Sequence, residues 1–106
     1  MKKAVRPSSF AQAEIEYYLI RYASESGHLR DRLWDDIQAV VNLIAEHPLI
    51  GEVVRRTGGR VRRFPLQHFP FFLIYRVRDD DMQIVALAHK RRKPNYWRQR
   101  VKFDSN

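Results

Sequence analysis

The apolar period of this chain changes once, at Gly51, and that change constrains the fold more than any other feature. Before it, Ala11, Ile15, Leu19 and Tyr22 recur at spacings of four, four and three. Leu29, Leu33, Ile37, Val40 and Ile44 follow at four, four, three and four. Such spacings line one face of an α-helix. Tyr18 widens the first stripe, and Trp34 and Val41 flank the second. Ser9 with Gln12 fits a capping box opening the first helix, and Ser26-Gly27 reads as its end. His47-Pro48 stops the second, because proline cannot continue the hydrogen-bond ladder and biases its predecessor out of the α region. The short link makes the two helices an antiparallel hairpin.

After Gly51 the texture is that of strands. Thr57-Gly58-Gly59 is a loop signal. Arg60-Val61-Arg62-Arg63-Phe64 alternates, with Arg60 and Arg62 on one face and Val61 and Arg63 on the other. Phe71 to Val77 is rich in β-formers, Asp79-Asp80-Asp81 is a turn, and Met82 to His89 returns. Val5 and its neighbours add a short edge strand at most, since Pro7 weakens it. The order predicts an α+β fold: an N-terminal antiparallel helical hairpin packed on a three- to four-stranded antiparallel sheet, with a basic C-terminal tail. The far face of the sheet is expected to stay open. All of residues 1–106 form one domain, since a chain of this length holds a single core.

Charge is distributed unevenly. Up to Val54 there are six basic and eight acidic side chains, a balance of −2; beyond it there are fourteen and four, a balance of +10. Fifteen of the twenty basic residues are Arg, the side chain suited to bidentate contact with phosphate or carboxylate. A polyanionic partner for the second half follows, either nucleic acid or an acidic protein segment. The absence of cysteine excludes a disulfide framework and thiolate metal sites. No apolar run is long enough to span a membrane, and the residues from Met1 to Pro7 lack the apolar core of a signal peptide. The expectation is a cytoplasmic protein with no membrane association.

Chemistry has few candidates. His28, His47, His68 and His89 lie 19, 21 and 21 residues apart, so no helical pair of ligands forms and neither a metal nor a cofactor is expected. Glu14 with Glu16 and Asp35 with Asp36 are expected on solvated helix faces. Arg55, Arg56, Arg60, Arg62 and Arg63 form either an anion site or an edge that resists aggregation. His89 to Arg100 interleaves cations with Tyr96 and Trp97, a pattern suited to nucleic acid. In the other reading, the two rings dock the tail onto the core. His89, at a strand end among cations, is a candidate general base, or else a histidine bonded to backbone.

Four ordered segments resemble the RelE/ParE superfamily of bacterial toxins. Ile44-Ala45-Glu46-His47-Pro48-Leu49-Ile50-Gly51 is similar to that family's helix-to-sheet junction. Val61-Arg62-Arg63 and then His68-Phe69-Pro70-Phe71-Phe72-Leu73-Ile74-Tyr75-Arg76-Val77 resemble its central strands. The strand Ile84 to His89 follows an acidic turn, and Arg91-Arg92-Lys93-Pro94 with Tyr96-Trp97 resembles its tail. The set spans roughly residues 9–100 and is closer to ParE-like members. His68 stands where Arg is usual and Phe71 where Tyr is usual.

The resemblance implies the toxin of a type II toxin–antitoxin pair. ParE-like toxins act on DNA gyrase, and RelE-like ones cleave mRNA on the ribosome. A cognate antitoxin, expected to carry an acidic amphipathic C-terminal segment, neutralises the toxin. The target-binding residues would be Arg60, Arg62, Arg63, His89, Arg91, Arg92, Tyr96 and Trp97. Were it an endoribonuclease, the catalytic candidates would be His89, Arg62, Arg63, Arg91 and Tyr96. The only lysines are Lys2, Lys3, Lys90, Lys93 and Lys102, none inside the three strands. A sheet lysine for acid–base work is therefore missing, which favours gyrase inhibition over the ribonuclease. A nucleic-acid-binding module without toxicity is the remaining alternative.

Overall fold

A computed structural model describes residues 2–102. The chain opens with an edge strand, β1 (Ala4–Pro7), and turns directly into α1 (Ser9–Ala23). Ser8, not Ser9, caps this helix: its Oγ accepts from the Ala11 N–H at 3.1 Å. Gln12 instead donates to Glu16, one turn on. Ser26 likewise belongs to the second helix, α2 (Gly27–Glu46), where its Oγ accepts from the N–H groups of His28 and Leu29. The first helix therefore ends earlier, at Ala23, and the predicted stop is the next helix's start. α2 ends at His47, ahead of Pro48, as the proline requires.

Four further strands follow: β2 (Glu52–Val53), β3 (Val61–Pro65), β4 (Phe71–Val77) and β5 (Asp81–His89). The sheet order is β1-β5-β4-β3-β2, five strands in all. The expected antiparallel meander is β3-β4-β5, and two short strands extend it. β2 pairs antiparallel with β3, and β1 pairs parallel with β5 from Ala4 opposite Asp81 to Pro7 opposite Ile84. Pro7 is tolerated because β1 is an edge. Among the described residues no helix is long and apolar enough to cross a membrane.

The helical hairpin covers one face of the sheet. Leu33, Ile37 and Ile44 of α2 and Ala11 and Ile15 of α1 meet Phe71, Leu73, Tyr75, Met82, Ile84 and Leu87 there. A bulge alters the alternation on β5: Ile74 pairs with Ala86 but Tyr75 with Ile84, leaving Val85 as an extra residue. Val85 and Ala86 consequently both face away from the helices. On that second face they join Val61, Ile74, Ala88 and Trp97 in a smaller cluster, with Phe72, Tyr96 and Val101 packed against it. The far side of the sheet is thus not left open. The tail, ending in α3 (Gln99–Lys102), folds back over part of it.

Two of the expected solvated carboxylates are structural. Asp36 is 5% exposed and accepts from the N–H groups of Gln67 and His68, tying α2 to the β3–β4 loop. Glu14 reaches the sheet. β5 outruns its short partner β1, and beyond Ile84 its edge has no neighbouring strand. Glu14 accepts there from the Leu87 N–H, while Arg100 donates to the Val85 carbonyl. Backbone groups at a buried edge need such partners.

Candidate functional site

The second face is where the cations gather. A groove of about 360 Å³ has Val54, Phe72, Ile74, Ala88 and Trp97 for its floor. Arg55, Arg63, Lys90, Arg92, Lys93 and Arg98 surround it, and Glu52 is its one carboxylate. A second groove, about 840 Å³, is lined by Arg56, Arg60, Arg76, Arg78 and Arg98, with Asp79 the sole acidic member. Arg98 belongs to both, so the two adjoin. Arg98 is also their mechanical link. Its Nη2 donates to the Arg55 carbonyl at 2.5 Å and its Nη1 to that of Arg56, joining the tail to the β2–β3 loop. That loop turns at Arg56, Gly58 and Gly59, all at positive φ, the conformation the two glycines adopt without strain.

The tail is positioned by aromatic and ionic contacts together. Trp97 is 3% exposed and anchors it to the sheet. Tyr96 donates its phenol to Glu14 Oε2 at 2.5 Å, and Arg100 grips both oxygens of Glu14 at 2.8 and 3.0 Å. Burial, then the bond to Glu14, pushes the Tyr96 phenol far above its usual pKa, so it stays protonated. Burial is the largest single influence on Arg100 and opposes its charge, but the hydrogen bond and charge of Glu14, with Tyr96, together outweigh it and raise the Arg100 pKa. Arg92 lies 4.0 Å over the Tyr96 ring, and Arg63 and Lys90 lie over Phe72 at 4.6 and 5.1 Å.

The site residues expected from the sequence are divided between different places. Arg60, Arg63, His89, Arg92, Tyr96 and Trp97 line the grooves; Arg63 also pairs with Glu52 at 2.6 Å. Arg91 is exposed in the turn after β5. Arg62 projects to the helix side, opposite Val61 and Arg63, where it donates to the carbonyls of Leu49 and Gly51, but Arg60, expected beside it, precedes β3 and lines the second groove with Val61. His89 packs its ring against Tyr18 and Phe71 on the helix side, and its Nδ1 accepts from the Arg91 N–H at 3.0 Å. Tyr96 is committed to Glu14 and Trp97 is buried. The residues sequence reasoning passed over are Glu14, Arg98 and Arg100, whose partners lie more than forty positions away or on backbone. No local spacing signals such contacts. Among the described residues no three His, Asp or Glu side chains gather as a metal centre.

Comparison with known proteins places this geometry. The family model for the ParE toxin of the type II toxin–antitoxin system parDE matches residues 5–94. A solved structure of the chromosomal ParDE system from P. aeruginosa is similar in fold, with a TM-score of 0.70 at 20% identity, over 83% of this chain and 96% of that one. The YoeB dimer from Staphylococcus aureus is also similar, with a TM-score of 0.62 at 15% identity, over 84% and 98% of the two chains. No curated protein matches the sequence.

Proposed function

The chain belongs to the ParE toxin family of type II toxin–antitoxin systems, and from that premise we propose that it arrests growth by inhibiting DNA gyrase. A cognate antitoxin with an acidic amphipathic C-terminal segment neutralises it. Such a segment suits a surface that is basic on the sheet side and apolar along α1, where Phe10, Tyr17 and Ile20 are exposed. The basic second face is the effector surface.

One observation carries the reading: the two groups that could move protons at the basic groove, His89 and Tyr96, are both engaged elsewhere. Cleavage of RNA requires a base beside the 2′-hydroxyl and cations beside the phosphorane. His89 reaches the same groove as Arg63, but its Nδ1 accepts from the Arg91 N–H and its ring packs against Tyr18 and Phe71. Tyr96 is held protonated against Glu14. The central strands contain no lysine. What remains is a preformed charged surface, the equipment of a binding toxin.

A supercoiling assay with purified gyrase tests this. The toxin should block supercoiling, and Arg91→Ala with Arg92→Ala should relieve the block with the fold intact. In cells the SOS response should rise before translation falls. Early translational arrest with cuts in ribosome-bound mRNA, and unimpeded supercoiling, would establish the ribonuclease instead.

A further inference from the structure

We infer that the second face grips duplex DNA itself, through the phosphodiester backbone and without reading sequence. The inference rests on that face being the effector surface, and it names what the surface touches. Arg55, Arg56, Arg60, Lys90, Lys93 and Arg98 have no carboxylate partner among the described residues. Cations crowded this way repel one another, and a polyanion relieves the repulsion.

The side chains are ordered without being neutralised. Lys90 lies over Phe72, Arg92 over Tyr96, and Arg98 rests on two backbone carbonyls and 5.6 Å over Trp97. Neutral partners fix a cation's position and leave its charge available, so less freedom is lost when a phosphate arrives.

The same contacts decide the class of ligand. Single-stranded nucleic acid is held largely by stacking bases on aromatic rings. Here Trp97 is buried, and cations cover Phe72 and Tyr96. An acidic amphipathic segment would need the apolar floor for its nonpolar side, and there Trp97 is buried while Arg63 and Lys90 roof Phe72. What the face offers is charge along two adjoining grooves. Duplex DNA, with its bases stacked inside and its phosphates outside, matches that offer.

The test needs no gyrase, so its failure leaves the supercoiling result standing. Fluorescence anisotropy would follow the toxin binding two unrelated labelled duplexes of about 20 bp, between about 50 and 200 mM salt. Both should bind alike, with micromolar Kd at low salt and a log–log salt slope of about −3 or steeper. Lys90→Glu with Lys93→Glu should weaken binding at least about tenfold, with circular dichroism unchanged. Arg55→Gln with Arg60→Gln gives a second route should that variant fold poorly, and should also weaken binding. Polyglutamate of equal charge should bind at least about tenfold more weakly, because its charge density is lower. Duplex binding that ignores salt or these substitutions overturns the inference. So does a clear sequence preference, tighter binding to single strands, or polyglutamate binding as tightly as the duplex.

Discussion

The two faces of the sheet are built from the same strands and stabilised differently. On the helix face the contacts are mainly apolar, and cations at its margin find carboxylates: Lys2 with Glu46, Arg30 with Asp31. On the second face a small cluster is closed by a tail; Arg63 and Arg100 pair with carboxylates there, but Lys90, Arg92 and Arg98 have only rings and carbonyls for company. The helix face secures the fold. The second face carries uncompensated charge that the fold does not require, and sites that depart from the usual rules of stability are where function is expected.

The largest effect expected of any substitution is at Phe71, fully buried under the helices. Phe71→Ala should cost about 3–5 kcal/mol in chemical denaturation. Trp97→Ala removes a ring of comparable size from the tail. Because Trp97 belongs to the smaller cluster, apart from the helix-face core, global stability should fall by less than half as much, while gyrase inhibition should be lost. Equal losses would mean that the two clusters are one core.

Next is Tyr75, the bond between the faces' framework and the loop that follows α2. Its hydroxyl accepts from the Gly51 N–H at 2.9 Å and donates to the Pro48 carbonyl at 2.8 Å. Tyr75→Phe strands both groups and should cost about 2 kcal/mol. Burial also raises the Tyr75 pKa, so alkali should ionise this phenol after an exposed tyrosine. Titration in the normal range would show that the loop opens to water. Gly51 is required for the same reason: a Cβ there would lie 2.6 Å from Tyr75 Oη and 2.9 Å from the Arg63 carbonyl.

These examples show what could be read in the sequence. The apolar stripes and the alternation locate the hairpin, the meander and the face of Arg62, because those follow from local periods. The concentration of charge beyond Val54 anticipates the basic face. The parallel strand β1 was only weakly visible, since four residues ending in proline say little about a partner some eighty positions away. Asp36 and Glu14 looked solvated because each sits among polar helix residues; only the tertiary fold brings unpaired N–H groups to them. Trp97 had two readings, and its burial, which no local pattern specifies, is consistent with an anchor.

Glu14 ties the faces together, so Glu14→Gln sharpens the contrast. The substitution removes the charge that Arg100 grips and should lower stability by about 1–2 kcal/mol. Its larger consequence is functional: the tail's cations lose their fixed positions, and gyrase inhibition should fall further than stability does. A variant losing stability alone would mean the tail's placement does not matter to the target.

The smallest effect is at Asp81, where β1 meets β5. Arg78 donates to both its oxygens at 2.6 and 2.8 Å, and Arg6 of β1 lies at 3.5 Å. The hydrogen bond from Arg78, ahead of the other nearby charges, holds the Asp81 carboxyl below its usual pKa. A lowered pKa means the folded state prefers the ionised form. The contribution is complete above the ordinary carboxylate value of about 4 and disappears as pH falls through the lower folded value. Acid should therefore speed amide exchange along β1 in the natural chain, and Asp81→Asn should remove most of that dependence. Salt at neutral pH should alter β1 little, because Arg78 holds the carboxylate by direct hydrogen bonds, while the same salt weakens every polyanion contact of the second face. An edge strand that ignored acid but loosened in salt would show that screened attraction, not direct hydrogen bonding, holds Asp81.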